Sequence, residues 1–223
     1  ETINIFANGS RALFTRDVAN ITMDLNDVEH IDFRALGGAD NITVGDLSGT
    51  DVTQVGIDLR GPGGSGDGAS DTVSVNGTNG DDSIVITGSG TTLTVTGLVA
   101  TVAIASFEGG IDHLTINGQA GADVINASAV GAGFGGITMN GGLGADLLVG
   151  SAGNDLFNGG DGNDTALMGA GDDSFVWNPG DDNDIVEGQG GFDTLLFNGA
   201  NVSERIDIFA NGTWLYELPG LIL

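Results

Sequence analysis

The chain has 223 residues, with 25 Asp and 6 Glu set against five Arg and no Lys, for a formal net charge of −26. Such a surface repels nucleic acid and anionic membrane, both of which need a basic patch. The absence of cysteine excludes disulfides and thiolate metal sites, and no run of about 18 apolar residues offers a membrane span.

The acid excess and the 41 glycines argue for disorder, whereas the 40 % hydrophobic content argues for a core. Both hold together if bound cations neutralise the carboxylates. Glu1 opens without a signal-like segment, so any targeting signal is expected to lie outside these residues.

From the N-terminus, ETINIFANGS (1–10) returns as ERIDIFANGT (204–213), with seven of ten positions identical at an offset of 203. LGGADNITV (36–44) carries a Gly-x-Asp turn ending at Asp40, and RGPGGSGDGAS (60–70) reads as a Gly-rich loop. DTVSVNGTNGDDSIV from Asp71 matches DHLTINGQAGADVIN from Asp112 at an offset of 41; each has an Asn-Gly turn, then a Gly-x-Asp turn ending at Asp82 or Asp123. TTLTVTG and ATVAIASF, between them, alternate with period two and read as strands. No segment shows the periodicity and caps of a substantial helix.

From Gly141 to Val176 four nine-residue units follow without a gap: GGLGADLLV, GSAGNDLFN, GGDGNDTAL and MGAGDDSFV. Each has Gly at its fourth position, where the backbone can turn through positive φ, and Asp at its sixth. The eighth positions, Leu148, Phe157, Ala166 and Phe175, offer side chains to a narrow core, with Ala166 the weakest match. The phase slips by two residues at Trp177 and Asn178, then resumes as PGDDNDIVE and GQGGFDTLL.

This pattern resembles the G-G-x-G-x-D-x-U-x nonapeptide of the RTX, or haemolysin-type, calcium-binding proteins, closely over residues 141–196 and loosely before them. The resemblance implies an all-β fold, a parallel β-roll or β-solenoid in which two units close one coil. Asp146, Asp164 and Asp184 then line one edge and Asp155, Asp173 and Asp193 the other. It also implies several Ca²⁺ ions, each between successive turns and held by Asp carboxylates and the carbonyls of Gly-rich residues. On this sequence those are Gly142, Gly144, Gly160 and Gly162 around Asp146 and Asp164, and Gly153, Gly169 and Gly171 around Asp155 and Asp173. Ser151, Met168 and Gln189 stand where the family has Gly, Pro179 takes a first position and Asp182 a fourth, which weighs most against a site between Asp164 and Asp184. Asp40, Asp82 and Asp123 are further candidate ligands by their Gly-x-Asp turns. Asp17, Asp24, Asp27, Asp46, Asp51, Asp58 and Asp207 read as solvated turn residues, with Glu29 and Asp32 equivocal.

Three stretches are expected: irregular solenoid coils over 1–135, a regular roll over 136–200, and the start of a next repeat or a capping tail over 201–223. About twelve coils at roughly 4.8 Å each would give a rod about 55 to 60 Å long. Carboxylates stacked about 4 Å apart repel by roughly 1 kcal/mol in water and about 4 near a protein surface, so the chain is expected to fold only on binding calcium. Catalysis is not expected: His30 and His113 lie in no catalytic motif, and only Trp177, Trp214 and Tyr216 supply the Trp or Tyr that sugar clefts need. By resemblance, the chain is a structural or adhesive stalk of a secreted or cell-surface bacterial protein, with calcium and neighbouring copies end to end as partners. The alternatives are a folding and secretion module of a secreted enzyme or toxin, and a polysaccharide-binding module.

Overall fold

A computed structural model describes residues 1–208. Most of the second IFANG copy and the 214–223 tail, with its expected capping role, lie outside the described residues.

Alternating Val, Ile and Thr between Gly/Asp turns form nineteen strands among the described residues. In chain order they are β1 (Thr2–Asn8), β2 (Arg11–Arg16), β3 (Ile21–Leu25), β4 (His30–Arg34), β5 (Asn41–Val44), β6 (Gln54–Asp58), β7 (Thr72–Asn76), β8 (Ser83–Ser89), β9 (Thr92–Thr96) and β10 (Thr101–Ala105). There follow β11 (His113–Ala120), β12 (Val124–Ala129), β13 (Ile137–Leu143), β14 (Leu147–Val149), β15 (Leu156–Asp161), β16 (Thr165–Leu167), β17 (Ser174–Trp177), β18 (Ile185–Glu187) and β19 (Thr194–Phe197). The only helical elements among the described residues are 3-10 turns at Val18–Asn20 and Ala132–Phe134.

The strands lie in two sheets, one of ten in the order β19-β17-β15-β13-β11-β7-β5-β1-β2-β3 and one of nine in the order β18-β16-β14-β12-β8-β9-β10-β6-β4. From β11 onward the chain alternates between them and every pairing is parallel, the all-β parallel coil that the nonapeptides imply. The sequence periods reappear as register. His113 pairs with Thr72 across the 41-residue offset, Leu156 with Thr138 across 18, and Thr194 with Ser174 across 20 where Trp177 and Asn178 are inserted.

The N-terminal half departs from the expected coils in two places. β1, β2 and β3 form an antiparallel meander in the ten-stranded sheet, and β8, β9 and β10 form another in the nine-stranded one. Each adds two strands through two antiparallel steps, so each sheet leaves its meander with the strand direction it entered with. Coils are correspondingly fewer than twelve, and ten strands at about 4.8 Å span roughly 43 Å.

One core lies between the sheets. Successive rungs of the ten-stranded sheet bring Ile5, Val44, Val75, Ile116, Met139, Phe157 and Phe175 into one column, each at most 2 % exposed. Ile84, Ile125, Leu148 and Ala166 form its counterpart, and Ala166 is fully buried despite its size. Beside the first column Asn76, Asn117 and Asn140 bond side chain to side chain, at 2.8 and 2.7 Å.

Candidate metal centre

From β11 onward every coil strand but β13 leaves its turn directly after an Asp, as β5, β7 and β8 also do, and this places the acids in two columns at the strand starts. On the nine-stranded sheet the column is Asp82, Asp123, Asp146, Asp164 and Asp184. Each Asp N–H donates to Oδ1 of the next Asp: Asp82 to Asp123, Asp123 to Asp146 and Asp146 to Asp164 at 2.8 Å, and Asp164 to Asp184 at 2.9 Å. On the ten-stranded sheet Asp40 donates to Asp71 at 2.9 Å and Asp71 to Asp112 at 3.1 Å. That column breaks at Gly136, where a Cβ would overlap the Asn154 carbonyl, and resumes as Ile137 to Asp155 (2.6 Å), Asp155 to Asp173 (2.7 Å) and Asp173 to Asp193 (3.1 Å). One oxygen of each accepting Asp thus knits neighbouring coils, which leaves its second oxygen outside the rung-to-rung bond.

The fate of that second oxygen separates the two edges. Oδ2 of Asp123, Asp146, Asp164 and Asp184 is buried without a hydrogen-bond partner, four consecutive rungs of one edge. On the other edge this holds only for Asp40 and Asp173. Asp155 Oδ2 accepts from the Ser151 N–H at 2.6 Å while its Oδ1 accepts from the Ser151 hydroxyl at 3.0 Å; Asp112 Oδ2 accepts from the Glu108 N–H at 2.7 Å. The Ser151 main chain therefore satisfies in Asp155 the oxygen that is unpartnered in Asp146 and Asp164, and its hydroxyl adds a second bond to the same carboxylate. Asp82 Oδ2 is likewise held by the Thr78 N–H at 2.6 Å.

The unpartnered oxygens face cradles that only glycine leaves open. A Cβ on Gly141 would run into Asp146 Oδ2 and lie 2.5 Å from the Gly159 carbonyl oxygen; one on Gly118 would meet Asp123 Oδ2 and the Gly141 oxygen. A carboxylate oxygen and the carbonyl of the following coil thus converge on each cradle, the donor set of a hard cation. Over Gly159 the three nearest atoms all belong to Asp164, and Pro179 begins the next unit of that edge, so the carbonyl contribution is weakest at the Asp164–Asp184 step. Among the described residues no group of three or more Asp, Glu, His or Cys side chains gathers at one point, so a metal here would be held by one or two carboxylates together with backbone oxygen.

The expected glycine pairs stack as the repeat requires. A Cβ on Gly160 would overlap the Gly142 carbonyl, one on Gly162 the Gly144 carbonyl, one on Gly169 would meet the Ser151 carbonyl and one on Gly171 the Gly153 carbonyl. Asp182 stands apart from both columns. It is exposed, and its carbonyl accepts from the Trp177 indole at 3.2 Å, so its side chain joins no rung. Several acids outside the Gly-x-Asp turns do local work: Asp17 accepts from the N–H of Thr2, Asp46 from that of Ser48, and Asp24 and Asp58 pair with Arg11 and Arg60.

Asp71 and Asp112, 1 % and 3 % exposed, are rungs that stand outside the expected ligand set. Gly110-Ile111-Asp112 is itself a Gly-x-Asp turn, and Asp71 heads DTVSV as Asp193 heads DTLLF, so both signals were present.

Burial pushes the carboxyls of Asp71, Asp164 and Asp173 up to about 6; the adjacent rung acids add to this, and the N–H each accepts from the preceding rung opposes it. Burial likewise raises Asp40, Asp112, Asp123, Asp146, Asp155 and Asp184. These are carboxylates in want of positive charge, and a bound divalent cation reverses the direction.

The asymmetry of the edges has a measurable consequence. Asp146→Asn is expected to weaken calcium binding on the order of tenfold or more, because ligand charge sets calcium affinity, and Asp155→Asn far less. Calorimetric titration of the two variants checks this, and equal losses would show that Ser151 does not stand in for the ion.

The model of the RTX calcium-binding nonapeptide repeat matches four copies in the chain, over residues 115–129, 138–175 and 180–195. Searches of curated proteins and of solved structures gave no match. The matched residues contain the four unpartnered rungs Asp123, Asp146, Asp164 and Asp184; the chain carries four copies of the RTX calcium-binding nonapeptide repeat, a repeat that binds Ca²⁺ at multiple sites.

Proposed function

We propose that the chain is a non-catalytic structural repeat of an extracellular bacterial protein, a β-roll that folds on meeting calcium after export and serves as a stalk or adhesive fibre. RTX repeats are typical of secreted bacterial proteins, which supports the location. The observation that carries the stalk reading is the return of ETINIFANGS as ERIDIFANGT after 203 residues, the mark of a unit repeated along a larger protein. A solenoid suits that role because each coil contacts only its neighbours, so length grows without a change in cross-section. Millimolar calcium outside the cell and submicromolar calcium within it would confine folding to the exported chain.

An antibody against the chain, applied to intact source cells and to their medium, tests this reading. Surface labelling that survives washing and is shed by chelator is the expected result. Recovery only in the medium, on a polypeptide with hydrolase activity, would instead make the chain the folding module of a secreted enzyme.

A further inference from the structure

Among the described residues, the two ends of the solenoid present strand edges without a partner, β18 and β19 at one end and β3 and β4 at the other. An open edge is a template for another strand, and natural proteins usually blunt it. Here the β19 end is apolar and open: Leu195 is 58 % exposed and Phe192 79 %, and the Trp177 and Phe197 rings stack at 4.1 Å with nothing above them among the described residues. The space beside them is lined by Phe175, Trp177, Val186, Leu195 and Phe197 together with Asp182, Asn183 and Asp184, and its apolar part continues the core column outward.

We propose that copies of this sequence join head to tail into one uninterrupted solenoid, the β18 and β19 edges of one copy pairing in parallel with the β3 and β4 edges of the next. Strand direction permits it. Two antiparallel steps separate β3 from β1 and two separate β10 from β8, and the remaining pairings are parallel, so both edges at each end run in the direction of their sheet. The meanders, which look like interruptions of the roll, leave its ends compatible.

Side chains match as well. The inward residues of the β3 and β4 end, Leu25 and Phe33 with Phe14 behind them, belong to the core's partly covered margin or barely to its interior, and Met23 on β3 is half exposed. Leu195 and Phe197 meet them apolar to apolar. Three of the chain's five arginines stand at this end, and Arg34 on edge strand β4 is exposed and makes no ion pair among the described residues. The opposite end carries Asp181, Asp182, Glu187 and Asp193 in or beside its last strands.

The occupant is named by the sequence. A copy of β1's sequence begins at Glu204, seven residues after β19 ends. Glu204 Oε1 lies over Gly199 where a Cβ would be, as Asp193 Oδ2 lies over Gly188. A head-to-tail contact of this kind does not close on itself and propagates as a filament.

This inference rests on the calcium-folded repeat proposed above, and the test separates the two. The full chain in saturating calcium is followed by circular dichroism, sedimentation velocity and small-angle scattering over a concentration series. Species of doubled length and unchanged cross-section are expected, and Leu195→Asp with Phe197→Asp should raise their dissociation constant at least about a hundredfold while calcium-induced circular dichroism persists. A folded chain that remains monomeric, or that doubles in cross-section, overturns the head-to-tail pairing and leaves the calcium module standing; a chain that does not fold with calcium overturns both. Association that begins only after Leu221→Asp and Ile222→Asp would assign the apolar end to the chain's own last residues, and would equally overturn it.

Discussion

Stripped of calcium, the chain is expected to lose most of its β-sheet circular dichroism and to regain it when millimolar calcium is returned. Six rung carboxylates, those of Asp40, Asp123, Asp146, Asp164, Asp173 and Asp184, each bury an oxygen that no protein group satisfies. An unpaired buried charge costs several kcal/mol after relaxation, whereas a whole domain is stable by only about 5 to 15 kcal/mol. The deficit is uneven. Five of the six lie between Asp123 and Asp184, where strands β14, β16 and β18 are three residues long and each sends one side chain inward. In the N-terminal half, β8, β9 and β10 hold one another through antiparallel bonds and bury Ile84, Ile86, Leu93, Val95, Val102 and Ile104, with no rung in that meander after Asp82. Hydrogen exchange in chelator should therefore show full loss of protection from residue 124 onward and partial retention in β8–β10. Undiminished β content in chelator would refute the metal-built roll.

How much of this was legible depended on whether the determining contact is local. The Gly-x-Asp turns, the 41-residue offset and the slip at Trp177 and Asn178 are spacings along the chain, and spacing becomes register directly when every coil stacks on the one before. The meanders were not legible. TTLTVTG and ATVAIASF announce strands by their alternation, but alternation states which side chains face in and nothing about the neighbour, and here β9 pairs antiparallel with β8 and β10 antiparallel with β9 instead of opening a new coil. The inequality of the two edges was hidden for a similar reason. The nonapeptide counts an Asp at 146 and at 155 as the same letter, and only the fold shows Ser151 meeting one carboxylate while Gly142, its counterpart nine residues earlier, leaves the other unmet. The break at Gly136 also follows from packing, since the backbone of Asn154 occupies the space that a rung side chain would need.

Stability should run with pH in opposite directions in the presence and absence of calcium. Nine rung carboxyls are raised by burial, three of them to about 6. An unfolded aspartate titrates near 3.9, so the folded, metal-free chain binds these protons more tightly than the unfolded chain does. Folding is then favoured by acid: the contribution is complete below the unfolded value and is lost as pH rises through about 6, where the rungs ionise in place and repel. With calcium bound the sign inverts, because the ion requires the ionised rung and protons compete for the same oxygens. Thermal melts followed by circular dichroism at pH 4.5 and 7.5, on metal-free chain and in millimolar calcium, give four midpoints. The metal-free midpoint is expected to rise on acidification and the calcium midpoint to fall, so that the benefit of calcium shrinks across the window from about 6 down to about 4. A metal-free chain no more stable at pH 4.5 than at 7.5 would mean that the rung carboxylates find their counter-charge within the protein, and that calcium is not what closes the roll.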